Sequence, residues 1–229
     1  MTVNRRCRVS APRPRSPRRT RSPRGSGEIL AAEIIAAASE LFVERGSDTD
    51  VSIRAVAERV GVTPPSIYLH FADKAALLDA VCARYFEDLD EQMAVASAGV
   101  GDPLERALSQ GLAYVRFAQA NPVLYGVAFR TPPTSGRHLK VDEVLAASAY
   151  TRFSGIVREL AEEGMFAADD VDDIVLEFWA AAHGIASLML TKPGLPWGDD
   201  LRHAENVLRS VWLGRAALGS PNDKMVKRR

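Results

Sequence analysis

Five side chains able to grip a polar or anionic surface fall within one short stretch of the 229-residue chain. They are Thr63, Ser66, Tyr68, His70 and Lys74, in Gly61-Val-Thr-Pro-Pro-Ser-Ile-Tyr-Leu-His-Phe-Ala-Asp-Lys74. Thr63 and Ser66 are small and polar, and Tyr68 and His70 carry donors that reach phosphate oxygens. This is the chemistry of recognition, not of bond breaking. No Ser, Cys or His sits in a local nucleophile motif, and His70, His138, His183 and His203 lie far apart. Asp199, Asp200 and His203 have a spacing that suits a metal, and Asp169, Asp170, Asp172 and Asp173 form a second acidic group. Both groups open helices, where Asp caps free N–H groups and answers the dipole. Neither an enzyme nor a metal or other cofactor is expected, although spacing alone does not rule out an acid–base pair assembled in space.

The elements that must position these residues read as helices throughout, with no convincing strand run. Leu30, Ile34, Ala37, Ala38, Leu41 and Phe42 form one stripe over 28–46, closed by Gly46. Ile53, Val56, Ala57 and Val60 share a face over 52–60, which Gly61 ends. Thr63 is placed to cap the next helix, 64–70, with Pro64 at its first position, where the missing N–H costs nothing. Asp73 then caps a long helix to about Ser97. Further helices are expected over 103–120, 123–129, 139–163, 169–191 and 200–218, for an all-α fold of about nine helices. Four parts follow: a basic tail (1–27), a helix-turn-helix unit (28–74), a larger helical body (75–219) and a short basic tail (220–229).

Two helices joined by a short glycine-containing turn form a helix-turn-helix candidate, a weak signal on spacing alone. The run Val51–Val81, VSIRAVAERVGVTPPSIYLHFADKAALLDAV, is more specific. It resembles the DNA-binding domain of TetR-type one-component transcriptional regulators. The resemblance implies that helix 64–70 is a recognition helix in the major groove of double-stranded DNA. It also implies that Arg54 touches a base or phosphate, and that Tyr68, His70 and Lys74 contact phosphates. Thr63, Pro64, Pro65 and Ser66 then sit where base edges would be met; a proline pair offers apolar contact to a thymine methyl, and Ser66 donates or accepts. Lys74 starts a helix, whose free N–H groups also favour a phosphate. Plainer roles stay open: Tyr68 as a core aromatic, His70 as a C-terminal answer to the helix dipole. Phe71, Ile67 and Leu69 read as packing residues.

Charge complicates this assignment. Of 29 Lys and Arg residues, nine arginines lie in 1–27 with no acid, leaving 20 bases against 29 acids beyond it, a net of −9. Residues 28–74 alone hold eight acids against four bases. A cationic arm ahead of the first helix could follow the DNA backbone or enter the minor groove and offset this; an inert arm is the alternative. Such an Arg-, Pro- and Ser-rich arm buries too little to order by itself. Cys7 and Cys82 make no disulfide framework, which fits a reducing cytoplasm. No apolar run reaches about 18 residues, so no membrane span is expected, and the basic N-terminus lacks the apolar segment of a secretory signal.

In the body, Glu177–Leu190 (EFWAAAHGIASLML) is similar to the Trp-x-x-x-His-Gly signature of one branch of the same family. Trp179 and His183, four apart, stack on one helix face. Leu176 and Leu190 extend that face, with Phe178 at its edge and Gly184 allowing close helix approach. Such a stripe suits the wall of a small-molecule cavity and equally a core histidine beside a structural Trp. Phe117, Tyr125 and Phe153, with Tyr114 and Phe129, could line the same space or be plain core. The resemblance implies a homodimer built from the last two long helices, with Val207, Val211 and Trp212 as candidate interface residues; an internal role for Trp212 is the alternative. A two-fold dimer implies a palindromic operator. The expected function is a transcriptional repressor released from its operator by a small-molecule effector. The alternative is a helical small-molecule binder whose DNA reader does not work.

Overall fold

Helix ends in this chain are written by caps, and most fall where the sequence places them. The computed structural model describes residues 26–130, 143–144, 146–166, 168–198 and 201–218. The arginine tail, the C-terminal tail, the 131–136 loop, His138, Asp199 and Asp200 lie outside these.

Among the described residues there are nine α-helices and no strand. They are α1 (Ser26–Arg45), α2 (Ile53–Val60), α3 (Pro64–Tyr68), α4 (Lys74–Ser97), α5 (Pro103–Ala120), α6 (Pro122–Arg130), α7 (Thr151–Glu162), α8 (Val171–Thr191) and α9 (Arg202–Leu218). Ser52 accepts from the Ala55 N–H at 3.2 Å, Asp73 from Ala76 at 2.7 Å and Asp102 from Glu105 at 2.8 Å, each satisfying a first-turn donor. Gly61 stops α2 at φ 79°, a left-handed turn that glycine adopts without strain. Two expectations need correction. Thr63 makes no side-chain cap; its Oγ1 pairs with Ser66 Oγ at 3.0 Å. The expected continuous helix 139–163 is instead interrupted: a π-helical turn, Ala146–Tyr150, runs directly into α7.

The helices enclose two hydrophobic cores. The first joins α1–α3 to the start of α4 through Ile34, Phe42, Val56, Ile67, Leu77 and Val81. The second joins α4, α5, α7, α8 and α9 through Leu89, Leu108, Leu160, Ile174 and Leu208. One helix, α4, feeds both: Leu77, Ala80 and Val81 enter the first, and Tyr85, Phe86, Leu89 and Met93 the second. Leu124 of α6 packs against both. By length and composition α8 could cross a membrane, with a mean hydropathy of 1.5, which the absence of a long apolar run did not suggest. Its apolarity has a local explanation, since Ile174, Val175, Phe178, Ala182, Ile185 and Ala186 are core residues packed against neighbouring helices.

Candidate functional site

The short helix α3 is held from below and open above. Ile67 is fully buried and Phe71 nearly so, anchoring it to the first core. Thr63 and Pro65 are exposed, Pro64 and Ser66 half-buried, and Tyr68 is exposed beside them. Leu69, expected to pack, is 86% exposed, because it follows the last residue of a five-residue helix and faces away from Ile67. His70 is half-buried, with its ring near Gly27 at the start of α1.

The cations of this unit are mostly engaged within it. Arg59 bridges α2 to α1 through Glu40 (3.1 Å) and Glu44 (2.6 Å), and this bonding holds the Glu44 carboxyl below its ordinary value. Arg45 donates to the Asp50 carbonyl at 2.7 Å. Lys74 Nζ donates to the Asp48 carbonyl at 2.8 Å and to that of Thr49 at 3.3 Å, tying the start of α4 to the α1–α2 loop. Arg54, on the exposed start of α2, makes no hydrogen bond or ion pair to a described residue.

A cavity of about 50 Å³ lies in the second core. Leu89 and Met93 of α4 and Gly111 and Tyr114 of α5 form one side. Ala149 and Tyr150 of the π-turn, Phe153 of α7 and Val175, Phe178, Trp179 and Ala182 of α8 form the other. Phe153, Phe178 and Trp179 therefore line it as expected for a wall. His183 and Tyr125 stand behind it, joined through Tyr114. Tyr114 Oη lies 2.9 Å and Tyr125 Oη 3.0 Å from His183 Nδ1, and Tyr125 Oη is also 3.3 Å from the His183 carbonyl. A neutral imidazole offers one lone pair. The ring tautomer sets the direction: with the proton on Nδ1 the imidazole donates to a tyrosine oxygen and Tyr125 donates on to the carbonyl, and with it on Nε2 one tyrosine donates to Nδ1. Burial lowers the His183 pKa, which favours this neutral form, and raises those of Tyr114 and Tyr125. Phe117 packs on Tyr85, with ring centroids 5.0 Å apart, outside the lining.

Trp212 needs correction as an interface residue. It is 3% exposed and packs on Phe178 and Phe166 at 5.0 and 5.7 Å, inside one subunit. Val211 is half-buried, whereas Val207 on α9 is exposed together with Leu213, as are Leu176 and Leu188 on α8. Leu176 thus faces out and does not extend the cavity wall. A Cβ added at Gly184 would meet no described residue of another element within 4 Å; the close approach occurs instead at Gly111, where an added Cβ would lie 2.7 Å from Phe178 and 2.8 Å from Leu208. Gly111, Leu89, Met93, Ala149, Tyr150, Val175 and Ala182 are absent from the expected lining. Only their partners on other helices distinguish them from ordinary core residues.

Residues 34–81 match the family model of the bacterial regulatory proteins of the tetR family, and residues 107–211 match that of the tetracyclin repressor-like C-terminal domain. An uncharacterized HTH-type transcriptional regulator of Mycobacterium tuberculosis is 30% identical over 123 residues, 53% of this chain and 60% of the relative. The HTH-type transcriptional activator FasR of Mycolicibacterium smegmatis is 29% identical over 113 residues, 48% of this chain and 51% of FasR. The chain thus spans less than two thirds of the length of these curated relatives. Among solved structures, a protein of unknown function from Rhodococcus sp. RHA1 superposes with a TM-score of 0.68 at 26% identity, over 82% of this chain and 95% of that one. RolR, solved in complex with resorcinol, shares the fold at a TM-score of 0.63 and 19% identity, over 84% of this chain and 92% of its own. The first match spans most of the first core and the second spans much of the other, so the chain belongs to the TetR family of bacterial regulatory proteins.

Proposed function

We propose that this chain is a cytoplasmic, homodimeric, sequence-specific DNA-binding regulator, a repressor whose hold on a palindromic operator is weakened by a small organic effector in the cavity of the second core. The observation that carries this reading is the course of α4. Its first turns pack on α1 and share the first core with Ile67 of the exposed α3, and its later residues Leu89 and Met93 line the cavity. A ligand preferring one position of α4 therefore biases the placement of α3. Thr63, Pro64, Pro65 and Ser66 are assigned to base edges, and Arg54, Tyr68 and His70 to the flanking contacts, with Lys74 at the junction with α4. The exposed apolar side chains of α8 and α9 are assigned to a second copy of the chain, which would place two reading helices on one DNA face. RolR, with the same fold, was solved with resorcinol; for this chain a small organic effector is supported by its own apolar cavity.

The alternative, a ligand-binding protein with a non-functional reader, is favoured by one observation: Arg45, Arg59 and Lys74 are engaged internally within an acidic unit. Selection of genomic fragments by the purified full-length protein, followed by footprinting, separates the two. The expected result is enrichment of a few fragments with a two-fold symmetric footprint. Binding no tighter than to random competitor DNA would overturn the regulator reading. A reporter fused to an enriched fragment then distinguishes repression from activation.

A further inference from the structure

We infer that the cavity takes an uncharged, apolar ligand about the size of one aromatic ring, admitted between Tyr150 and Trp179, with the π-turn Ala146–Tyr150 yielding to make room. This rests on the effector reading above and adds the ligand's chemical class and its way in.

The class follows from the wall. Among the described residues no charged side chain lines the cavity. The Tyr114 hydroxyl is taken up by His183 Nδ1 at 2.9 Å, and that of Tyr150 pairs at 3.4 Å with exposed Asp172. A carboxylate, phosphate or ammonium placed inside would lose its water and find no partner of opposite charge. A cavity with such walls stays dry and accepts apolar guests.

The way in follows from exposure. Tyr150 and Trp179 are the half-exposed members of the lining, and the other nine lining residues are buried. The mouth therefore lies between those two rings.

The yielding wall follows from size. A cavity of about 150 Å³ is known to hold benzene, and this one is about 50 Å³. The gap cannot come from the Gly111 side, where Phe178 and Leu208 already leave no room for a methyl group. The sides formed by α4, α7 and α8 are regular helices, whereas the π-turn, although its Ala149 also enters the core, departs from that register. The π-turn is the one lining segment outside α-helical register, a geometry that often marks functional positions. Its Tyr150 hydroxyl reaches Asp172 only at 3.4 Å, and the firmer hold is on the Tyr150 carbonyl, which accepts from Ser154 Oγ at 2.8 Å. Moving this turn widens the cavity and its mouth together.

The test uses the full-length protein with toluene, benzoate and benzylammonium near neutral pH, followed by calorimetry and thermal unfolding. Toluene at about ten times its Kd should raise Tm by roughly 3–6 °C, and the two ions at equal concentration should not. Ala182→Val and Ala149→Val, filling the space from opposite walls, should each weaken toluene binding tenfold or more in protein that still unfolds cooperatively. Tyr150→Ala, which opens the mouth, should speed toluene association, and serves if both filled variants fail to fold. Equal binding of benzoate or benzylammonium, no saturable effect of toluene, unchanged affinity in folded filled variants, or an unchanged association rate in Tyr150→Ala would each overturn the inference. Retention of selected DNA is read in the same samples. Toluene that binds but leaves DNA retention unchanged overturns the effector reading and leaves the ligand class standing. Release by benzoate but not toluene overturns the class and leaves the effector reading standing.

Discussion

At the scale of single residues, His183 and Gly111 are the side chains whose surroundings make the sharpest demands. His183 is held neutral by burial, against Tyr114, Tyr125 and Phe129. Its folded pKa is depressed, so the unfolded chain binds the proton more readily. The stability it contributes is complete above the unfolded value of about 6.5 and declines as pH falls through it toward the folded value. Thermal unfolding at pH 7.5 and pH 5.5 should therefore show a larger loss in the wild type than in His183→Gln. Equal losses would mean that His183 does not titrate differently on folding. Gly111 is demanded by proximity: Phe178 and Leu208 occupy the place of its missing methyl group. Gly111→Ala should destabilise by about 1–3 kcal/mol, the usual cost of overpacking, as measured by urea unfolding with an unchanged m-value. The gain in helix propensity, under about 1 kcal/mol, is too small to offset this. The sequence held no sign of this requirement, because the crowding comes from α8 and α9, whereas at Gly184, read as the close-contact glycine, an added Cβ would meet no described residue of another element. Leu69 escaped for a related reason. Five helical residues define no period, so Ile67 and Leu69 looked alike although one is fully buried and the other almost fully exposed.

At the scale of elements, what was legible is what short-range chemistry dictates. Ser52, Asp73 and Asp102 cap the helices that follow them, and Gly46, Gly61 and Gly164 adopt the positive φ that ends helices. The apolar period correctly gave buried faces, including Ile34, Leu41 and Phe42. It could not say which partner covers a face, and so left Trp212 between the core and an interface. Nor could it reveal the π-turn, since a single i→i+5 turn shifts the register by one residue within an otherwise helical pattern. That turn has a mechanical connection. Two residues beyond Tyr150, Arg152 grips Asp90 of α4 with two bonds, at 2.6 and 2.8 Å. A ligand that moves the turn would thus pull on the helix that directly follows α3 in the chain. The pair is partly exposed, so its effect on stability should be small. Its effect on coupling should be larger. Asp90→Asn should bring the ratio of DNA affinities without and with toluene down at least fivefold toward one, and the exchanged pair Asp90→Arg with Arg152→Asp should restore part of it. Unchanged coupling in Asp90→Asn would place the signal path elsewhere, with α6 the next candidate because Leu124 touches both cores.

At the scale of the whole molecule, a chain of zero formal net charge carries an acidic helix-turn-helix unit, and its proposed partner is an acidic polymer. The helix-turn-helix unit carries eight acids and four bases in residues 28–74. Three of those bases are engaged internally, leaving Arg54 as its cation without a described partner. Affinity for DNA depends on phosphates neutralised and counterions released, so a unit in which one cation lacks a partner among the described residues gives a shallow dependence on salt. The nine arginines of residues 1–27 change that count. Helix α1 starts with Gly27 close to His70, so the chain that precedes it joins the fold beside the reading helix. If about five of these arginines meet phosphates, the slope of log affinity against log salt steepens by roughly 4 to 5 for each subunit. Deleting residues 2–24 should remove that increment and weaken selected and random DNA alike, because phosphate contacts carry no sequence information. The preference between the two DNAs should persist, since Thr63, Ser66 and Arg54 remain. A slope unchanged by the deletion would show the tail to be inert and return the burden to the folded unit. Lys74 would then have to release the Asp48 and Thr49 carbonyls on binding, and Lys74→Met would lower the slope by about 1 per subunit; with an active tail, the same substitution should lower thermal stability and leave the slope in place.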